Sequence, residues 1–288
     1  MKVLITGAGG QVGRSLLACA PAHATITAYT HARLDIGDPG AVEQAVRDCA
    51  PDVIINAAAY TAVDRAESEP GLAHRINAEG PRHLAVAARG LGARLVHLST
   101  DFVFDGGASV PYGPDAATRP LNVYGTTKRA GERSVLELLP NGALILRTAW
   151  VYAAEGRNFL RTMLAVLRGS GSARVVADQV GTPTSAISLA DTLWKLTDVP
   201  ALGGIHHWTD AGVASWYDFA VAIAEEGVAR GLLPEGVSVV PITTAEYRTP
   251  ARRPAFSVLD KQTLIARGLV PMHWRKRLRM VLAEISHV

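Results

Sequence analysis

The stretch VLITGAGGQVG, residues 3–13, joins a short aliphatic run to a glycine-rich turn. Gly7, Gly10 and Gly13 follow the predicted strand directly, and a helical pattern begins after them. Backbone N–H groups in such a turn can approach a pyrophosphate at the positive end of the helix dipole. Three glycines at this spacing are a weak signal alone, since a turn used only for close packing also explains them. Their position after an N-terminal strand favours a dinucleotide-binding turn.

Further apolar runs alternate with helix-length segments along the first half of the chain. They are TITAY, VIINAA, LVHLS and ALILRT, at residues 25–29, 53–58, 95–99 and 143–148. Near-continuous apolar runs of this length are typical of parallel strands buried on both faces. We therefore predict an α/β fold with a Rossmann-like, doubly wound parallel sheet.

The regular alternation fades after residue 150, where strings such as DQVGTPTS and TPARRPAFS are polar and loop-rich. We predict an NAD(P)-binding Rossmann domain over residues 1–150. A smaller C-terminal substrate-binding region is predicted over residues 151–288. Part of this second region can rejoin the sheet, because no linker separates the two halves.

Composition excludes several classes of protein. The 288 residues are 48% hydrophobic and 19% charged, which indicates a globular chain with a substantial core. A net charge of +3, evenly spread, argues against a nucleic-acid partner. No apolar run approaches the roughly 20 residues that span a bilayer, and the start MKVLITGAGG is unlike a secretory signal. We expect a cytoplasmic protein with no membrane partner.

The residues after TITAY bear on the choice of dinucleotide. An acidic side chain directly after the second strand usually holds the ribose hydroxyls of NAD. Here Thr30, His31, Ala32 and Arg33 follow instead, and His31 and Arg33 suit the 2′-phosphate of NADP or are ordinary exposed side chains. Asp35 lies at about the distance from the glycines that reverses this preference. We therefore favour NADPH, with NADH possible.

A hydroxyl, a tyrosine and a lysine complete a reaction site. STDFVFDG, residues 99–106, places Thr100 where a predicted strand ends, and NVYGTTK puts Tyr124 and Lys128 one helical turn apart. Tyr124 would donate a proton to a carbonyl oxygen as hydride arrives, and Lys128 would lower the pKa of that tyrosine. Thr100 would hydrogen-bond the carbonyl oxygen. Alternatively, Tyr124 caps a helix and Lys128 is a solvated lysine.

The order of these motifs resembles the extended short-chain dehydrogenase/reductases. Longer strings resemble the dTDP-4-dehydrorhamnose reductase family more closely, and the last three are not shared by the broad superfamily. The strings are PDVIINAAAYTAVDRAES (51–68), STDFVFDG (99–106), PLNVYGTTKRAGE (120–132), LRTAWVYA (146–153), DQVGTPT (178–184) and TPARRPAFSVLD (249–260). They span nearly the whole chain. Phe102 stands where this family more often has tyrosine.

The resemblance implies a reaction and its contacts. The family reduces the C4 ketone of dTDP-4-dehydro-L-rhamnose to give dTDP-L-rhamnose, the last step of a bacterial cell-envelope sugar pathway. It implies that the cofactor meets Gly10, Gln11, Val12, Asp35, Ile36, Ala59, Tyr60, Thr61, Tyr124 and Lys128. The implied catalytic residues are Thr100, Tyr124 and Lys128, and the substrate also meets Asp101, Trp150, and Arg252 or Arg253. An arginine suits the diphosphate because its planar guanidinium can bridge two phosphate oxygens.

Other functions fit nearly the same motifs. One is a ketoreductase of another dTDP-4-keto-6-deoxysugar, as in streptose or antibiotic sugar formation. Product stereochemistry depends on how the sugar lies over the nicotinamide, which a sequence does not display. The other is a non-catalytic regulatory subunit like that of methionine adenosyltransferase, which resembles the same family.

The resemblance also bears on metals. Some family members dimerise around Mg²⁺ held by glutamates of both subunits, and the matching positions here are Ser15, Ile187 and Glu284. Among these, a carboxylate remains at Glu284 alone, whereas Mg²⁺ needs several oxygen ligands. Cys19 and Cys49 lie in no CxxC or Cys/His cluster. We expect no metal requirement, and a monomer or a homodimer without a bridging metal.

Overall fold

A computed structural model describes residues 1–199 and 201–285. Its strands are β1 Lys2–Thr6, β2 Thr25–Tyr29, β3 Val53–Asn56, β4 Arg94–Thr100, β5 Ala143–Thr148, β6 Val151–Tyr152, β7 Ser172–Val176, β8 Val180–Gly181, β9 Thr184–Ser185, β10 Gly204–His207, β11 Ala214–Ser215 and β12 Ser238–Ile242. Its α-helices are α1 Gln11–Ala18, α2 Pro39–Cys49, α3 Val63–Ala66, α4 Pro70–His74, α5 Gly80–Leu91, α6 Val123–Leu138, α7 Phe159–Ser170, α8 Ala186–Thr197, α9 Trp216–Ala229, α10 Gln262–Ile265 and α11 Trp274–Ala283. A π-helical segment, Arg75–Glu79, leads into α5, and 3-10 turns form at Asp101–Val103 and Thr244–Glu246.

Six strands form one parallel sheet in the order β10-β5-β4-β3-β1-β2. The side chains of β3 and β5 are buried throughout, which explains the near-continuous apolar runs in the sequence. From β1 the chain runs to β2, which forms one edge of the sheet. It then crosses to β3, which lies on the other side of β1. A crevice therefore opens between the carboxyl ends of β1 and β3, where such sheets bind ligands. The predicted doubly wound α/β fold is confirmed.

Helices cover both faces of the sheet. On one face, Leu16 of α1 and Leu189 and Leu193 of α8 pack with Val3 and Ile5 of β1. On the other face, α2, α5 and α6 pack around a second set of buried aliphatic side chains, which includes Val42, Val46, Leu84, Ala88 and Val135. Both faces are thus closed, and ligands can reach the sheet at its carboxyl edge.

Residues beyond 150 contribute to this sheet and also build a core of their own. α8 belongs to the helical layer, and β10 pairs with β5 at the sheet edge. α7, α9 and α11 enclose a separate core that contains Tyr152, Phe219 and Leu278. Within residues 1–199 and 201–285, no helix combines the length and the apolar character needed to cross a membrane.

Helix α6 brings the NVYGTTK motif against the end of β4. Asn122 caps the helix, because its side-chain oxygen accepts a hydrogen bond from Gly125 N at 2.8 Å. Gly125 permits close packing, since a Cβ atom there would lie 2.1 Å from the carbonyl oxygen of Phe102. Three polar side chains spaced four residues apart on this helix face β4. They are Tyr124, Lys128 and Glu132.

Candidate active site

Backbone contacts shape the glycine turn after β1. Gly7 has a φ of +72°, and a Cβ atom there would lie 2.5 Å from Ala58 N. A Cβ atom at Gly13 would lie 2.3 Å from Gly7 O, so α1 packs directly on the turn. At Gly10 a Cβ atom would meet Gly7 O at 3.3 Å and nothing else within 4 Å. Glycine at that position therefore leaves open space beside the helix N-terminus, as a bound pyrophosphate requires.

Thr100 and Asp101 stand at the end of β4, beside Tyr124. The Thr100 hydroxyl donates a hydrogen bond to Asp101 Oδ1 at 3.0 Å. It is also near enough to Tyr124 to act on the pKa of the tyrosine. Asp101 Oδ2 is buried without a hydrogen-bond partner in the described part of the chain. Burial raises the pKa of Asp101 to about 6, although the nearby hydroxyls of Ser257 and Thr100 act to lower it.

Tyr124 lies among groups that keep it protonated. Burial raises its pKa to about 12, the nearby Thr100 hydroxyl acts to lower it, and the Asp101 carboxylate raises it further. The Phe102 ring meets the tyrosine edge-on, with ring centroids 5.6 Å apart. The prediction that Lys128 lowers this pKa is wrong for this structure, because the lysine amine points elsewhere.

Lys128 is directed toward β4. Its Nζ donates a hydrogen bond to Leu98 O at 2.6 Å and lies 3.4 Å from His97 Nε2. Burial lowers the pKa of Lys128 to about 8, although the negative charge of Glu132 acts to raise it. The lysine therefore titrates near the physiological range.

A cavity of about 480 Å³ joins these side chains to the glycine turn. Its lining includes most of the predicted residues, namely Gly10, Gln11, Val12, Ala59, Thr61, Thr100, Asp101, Tyr124, Lys128, Trp150 and Arg253. A second cavity, of about 280 Å³, shares Trp216 and Arg253 with the first. The first cavity lies at the carboxyl edge of the sheet, and the second lies against α7 and β7. They meet at Trp216 and Arg253, and we call the two together the cleft.

Trp150 is held in an unusual conformation at the side of this cleft. Its φ of +49° is rare for a bulky side chain. The indole stacks on Trp216 with ring centroids 3.6 Å apart, and a Cβ atom at Gly181 would lie 2.7 Å from Trp150 Cε2. The stacked side chains of Trp150 and Trp216, which line the first cavity, are therefore fixed before any ligand enters.

The two adjacent arginines of the ARRP string differ. Arg253 donates hydrogen bonds to both carboxylate oxygens of Asp64, at 3.1 and 2.8 Å, and lines both cavities. Arg252 is exposed and lines neither cavity, and its carbonyl oxygen accepts a hydrogen bond from Asn122. Arg253 is therefore the arginine of this pair that faces the cavities.

The residues after β2 lie away from the main cavity. Both Asp35 carboxylate oxygens are engaged, one by a backbone N–H and the other by Arg75 Nη1 at 2.7 Å. Arg33 is exposed, with its guanidinium 5.7 Å from the centre of the Tyr29 ring. The Ile36 side chain is buried in the core under α2 and α5. The structure does not bring these three predicted residues to the cavity lining.

The loop after β3 is fixed from outside the cleft. Tyr60 N donates to Asn77 Oδ1 at 2.8 Å, and Asn77 Nδ2 donates back to Tyr60 O at 3.0 Å. The Tyr60 hydroxyl donates to Glu69 at 2.5 Å. This clamp leaves Ala59 and Thr61 facing the cavity.

The three positions that match the Mg²⁺ ligands of some family members also lie at one place on the molecule. Ser15, Ile187 and Glu284 line one cavity of about 250 Å³, beside Arg14 and Glu155. Across residues 1–199 and 201–285, no group of three or more His, Cys, Asp or Glu side chains is placed to hold a metal ion. Independence from metal stays a prediction.

Sequence reasoning missed several residues of this region. Glu132 forms an ion pair with Arg147 at 2.8 Å, with both side chains 3% exposed, and accepts a hydrogen bond from the Ser99 hydroxyl. Its spacing four residues after Lys128 was an available signal. No comparable sequence signal marks Trp216 or Asn77, because each lies far along the chain from the residue that it contacts. These contacts are with Trp150 and Tyr60, respectively.

Comparison with known proteins places this geometry in a family. The chain matches the RmlD substrate binding domain family over residues 1–287. It is 46% identical to a dTDP-4-dehydrorhamnose reductase of Streptomyces griseus, covering 96% of this chain and 91% of the relative. It is 44% identical to a probable dTDP-4,6-dihydroxy-2-methyloxan-3-one 4-ketoreductase of Streptomyces antibioticus, covering 99% and 96%.

A solved structure gives the same result. The dTDP-4-dehydrorhamnose reductase of Bacillus anthracis, in complex with NADP, superposes with a TM-score of 0.92 at 37% identity, covering 98% of this chain and 99% of that one. The resemblance suggested by the sequence motifs is confirmed. Since the matches run through both the sheet and the second core, the chain belongs to the RmlD substrate binding domain family.

Proposed function

We propose that the protein uses NADPH to reduce the C4 ketone of dTDP-4-dehydro-L-rhamnose to dTDP-L-rhamnose. The observation that carries this proposal is the meeting of Thr100, Tyr124 and Lys128 with the glycine turn in one cavity. A relative 46% identical over nearly the whole chain carries the name of this reductase. The reduced cofactor and the nucleotide sugar are cytoplasmic metabolites, so the cytoplasm is the proposed place of action.

Features of the first half support the cofactor. Gly10 leaves room at the N-terminus of α1 and makes no side-chain cap, so the first N–H groups of the helix can meet a pyrophosphate. The exposed guanidinium of Arg33 suits a 2′-phosphate. Asp35 is paired with Arg75, which weakens its repulsion of that phosphate. The Bacillus anthracis relative binds NADP in the same fold.

The second cavity supports a nucleotide-linked substrate. Phe159, Trp216 and Tyr247 line it, and such aromatic faces can pack against a planar base. Arg253 lies where the two cavities meet, so its guanidinium can bridge the diphosphate between the base and the sugar. Asp64 fixes the orientation of that guanidinium. The sugar then lies beside Trp150, Thr100 and Tyr124.

The side chains divide the chemistry of ketone reduction. NADPH, when bound in this cavity, would supply the hydride that reduces C4. The Tyr124 hydroxyl gives a proton to the ketone oxygen as negative charge develops there. Thr100 turns its hydroxyl from Asp101 toward the same oxygen and holds it within reach of Tyr124. The stacked Trp150 and Trp216 exclude water from one side of the sugar.

The test is reduction of dTDP-4-dehydrorhamnose by the purified protein. We expect stoichiometric oxidation of NADPH, and we expect proton NMR of the product to show the C4 configuration of L-rhamnose. Free 4-keto sugars without dTDP should be poor substrates. A protein that oxidises no NADPH with any dTDP-4-keto sugar would be the regulatory subunit instead.

One observation favours a second candidate. The 44% identical Streptomyces antibioticus protein is named as a probable ketoreductase of a different dTDP-sugar. A reductase of another dTDP-4-keto-6-deoxysugar would use the same proton donor and the same diphosphate contact. NMR of the product separates the two, because the candidates differ in the sugar accepted and in the configuration formed at C4.

A further inference from the structure

A chain of buried polar groups reaches Lys128 from beneath the cavity. Thr6 Oγ1 donates a hydrogen bond to Asn56 Oδ1 at 2.7 Å. Asn56 Nδ2 lies 2.9 Å from His97 Nδ1, and His97 Nε2 lies 3.4 Å from Lys128 Nζ. All four side chains are at most 2% exposed. The chain crosses β1, β3 and β4 and ends on α6, and none of its first three members takes part in the reaction proposed above.

The direction of these hydrogen bonds is fixed by a backbone group. Ala58 N donates to Asn56 Oδ1 at 3.1 Å, and a backbone N–H can act as a donor alone. The Asn56 oxygen therefore faces Ala58 and Thr6, and its NH₂ group faces His97. It follows that His97 Nδ1 accepts a hydrogen bond, so the proton of the neutral imidazole is on Nε2.

His97 also stays neutral. Burial lowers its pKa well below the ordinary value for histidine, and the charge of Lys128 lowers it further. Its Nε2–H therefore points at Lys128 Nζ. An amine has a lone pair that can accept this hydrogen, whereas an ammonium group has three donors and no acceptor.

We propose that His97 is a positioning residue for Lys128: held as its Nε2–H tautomer by Asn56, it donates to the amine form of the lysine and disfavours the ammonium. The functional meaning rests on the proposed reduction. Glu132, one turn along α6, favours the ammonium, but its carboxylate is shared with Arg147 and Ser99. His97 and Glu132 thus act in opposite directions on the protonation of Lys128.

The first test is the tautomer of His97 in the protein without substrate. Nitrogen-15 NMR distinguishes protonated from unprotonated imidazole nitrogens, and His97→Leu identifies the His97 signals among nine histidines. We expect a bare Nδ1 and a protonated Nε2 at every pH at which the protein is folded. A protonated Nδ1, with or without Nε2–H, overturns the proposal.

The second test reverses the tautomer. In Asn56→Asp, a carboxylate accepts a hydrogen bond from Nδ1–H, and the bare Nε2 can then accept one from the Lys128 ammonium. The chain has five lysines, so labelled side chains with Lys128→Met as the assignment variant give the Lys128 titration directly. We expect the midpoint to rise by about 1 pH unit or more. The exposed Asn141→Asp makes the same chemical change elsewhere and should leave the midpoint unchanged.

A double-mutant cycle separates the tautomer from the added charge. If His97 transmits the effect, Asn56→Asp in the His97→Leu background should shift the Lys128 midpoint by less than half as much. An undiminished shift means that the carboxylate acts directly, and the role given to His97 is then wrong. In assays of turnover, the alkaline limb of the pH profile of kcat should shift together with the midpoint of the Lys128 titration. Absence of turnover rejects the proposed function, while the NMR results still decide the role of His97.

Discussion

The polar groups beneath the cleft and those at its rim are built differently. Beneath it, Glu132 and Arg147 form an ion pair with both side chains 3% exposed. At the rim, the Arg253 and Asp64 side chains are 24% and 40% exposed, although their separation of 2.8 Å is the same. Water can replace a partner at the rim, whereas beneath the cleft a broken pair leaves an unpaired buried charge.

This difference matches what each region does. Side chains that transfer protons need one fixed geometry, and the buried network holds α6 against β4 and β5 without a ligand. Side chains that bind phosphates must exchange one anionic partner for another. A partly exposed ion pair orients the arginine and can still be rearranged at small cost.

The largest expected effect breaks the buried side of the comparison. Arg147→Met leaves Glu132 charged and unpaired, so the free energy of unfolding should fall by about 3–5 kcal/mol. Arg253→Met at the rim should change it by about 1 kcal/mol or less. Urea denaturation of both variants measures the difference. The double variant Glu132→Leu with Arg147→Met should recover much of the loss. Equal losses of stability in Arg147→Met and Arg253→Met would show that the buried pair and the rim pair do not differ in this way.

Tyr124→Phe tests the fixed geometry through catalysis. The variant keeps the ring and its contact with Phe102 but loses the proton donor, so turnover should fall by about 10² or more with cofactor binding nearly intact. Tyr60→Phe is the matched control outside the cleft, because it loses a hydroxyl bonded to Glu69 and should keep most turnover. If Tyr124→Phe retained more than half of wild-type turnover with chemistry rate-limiting, Tyr124 would not be the proton donor.

Arg253→Ala tests the rim through substrate binding. Loss of charge-assisted hydrogen bonds to the diphosphate should raise KM for the dTDP-sugar by about 10-fold or more, with a smaller change in kcat. Arg252→Ala removes the same charge from the next residue and should change KM little, since that side chain lies outside both cavities. A larger effect at Arg252 than at Arg253 would reverse the assignment.

Arg33→Ala should have a smaller, cofactor-specific effect. An exposed guanidinium meeting one phosphate gives a modest gain, so KM for NADPH should rise a few-fold, roughly the effect of an exposed ion pair, while KM for NADH changes less. Initial rates with both cofactors measure this. Equal effects would take Arg33 out of the 2′-phosphate site and leave Asp35 as the residue that sets the preference.

The two regions also differ in how far the sequence predicted them. The parallel strands, the glycine turn and the Tyr124–Lys128 pair follow from local patterns, because strand burial and helical spacing are encoded within a few residues. The stacking of Trp150 on Trp216 and the choice between Arg252 and Arg253 depend on contacts between distant segments. The pKa of Tyr124 was predicted in the wrong direction, because burial and the orientation of Lys128 appear only once the helix is packed.

The division of the chain is a further case. β10 and α8 come from beyond residue 150 and belong to the sheet and its helical layer. Their short apolar runs resemble those of the second core, and no local signal shows which core they join. The boundary between residues 1–150 and 151–288 therefore stays a prediction about folding units.

The smallest expected effect is that of removing Mg²⁺. Ser15, Ile187 and Glu284 line one cavity together with Arg14 and Glu155, and of the three matched positions Glu284 alone carries a carboxylate. The side chain of isoleucine offers no oxygen, and the positive charge of Arg14 in the same cavity opposes a cation. Size-exclusion chromatography and turnover should therefore be the same with EDTA and with Mg²⁺, and Glu284→Gln should leave both unchanged. A chelator-induced shift to smaller mass, reversed by Mg²⁺ and lost in Glu284→Gln, would show that this exposed glutamate organises an interface with ligands from another part of the surface.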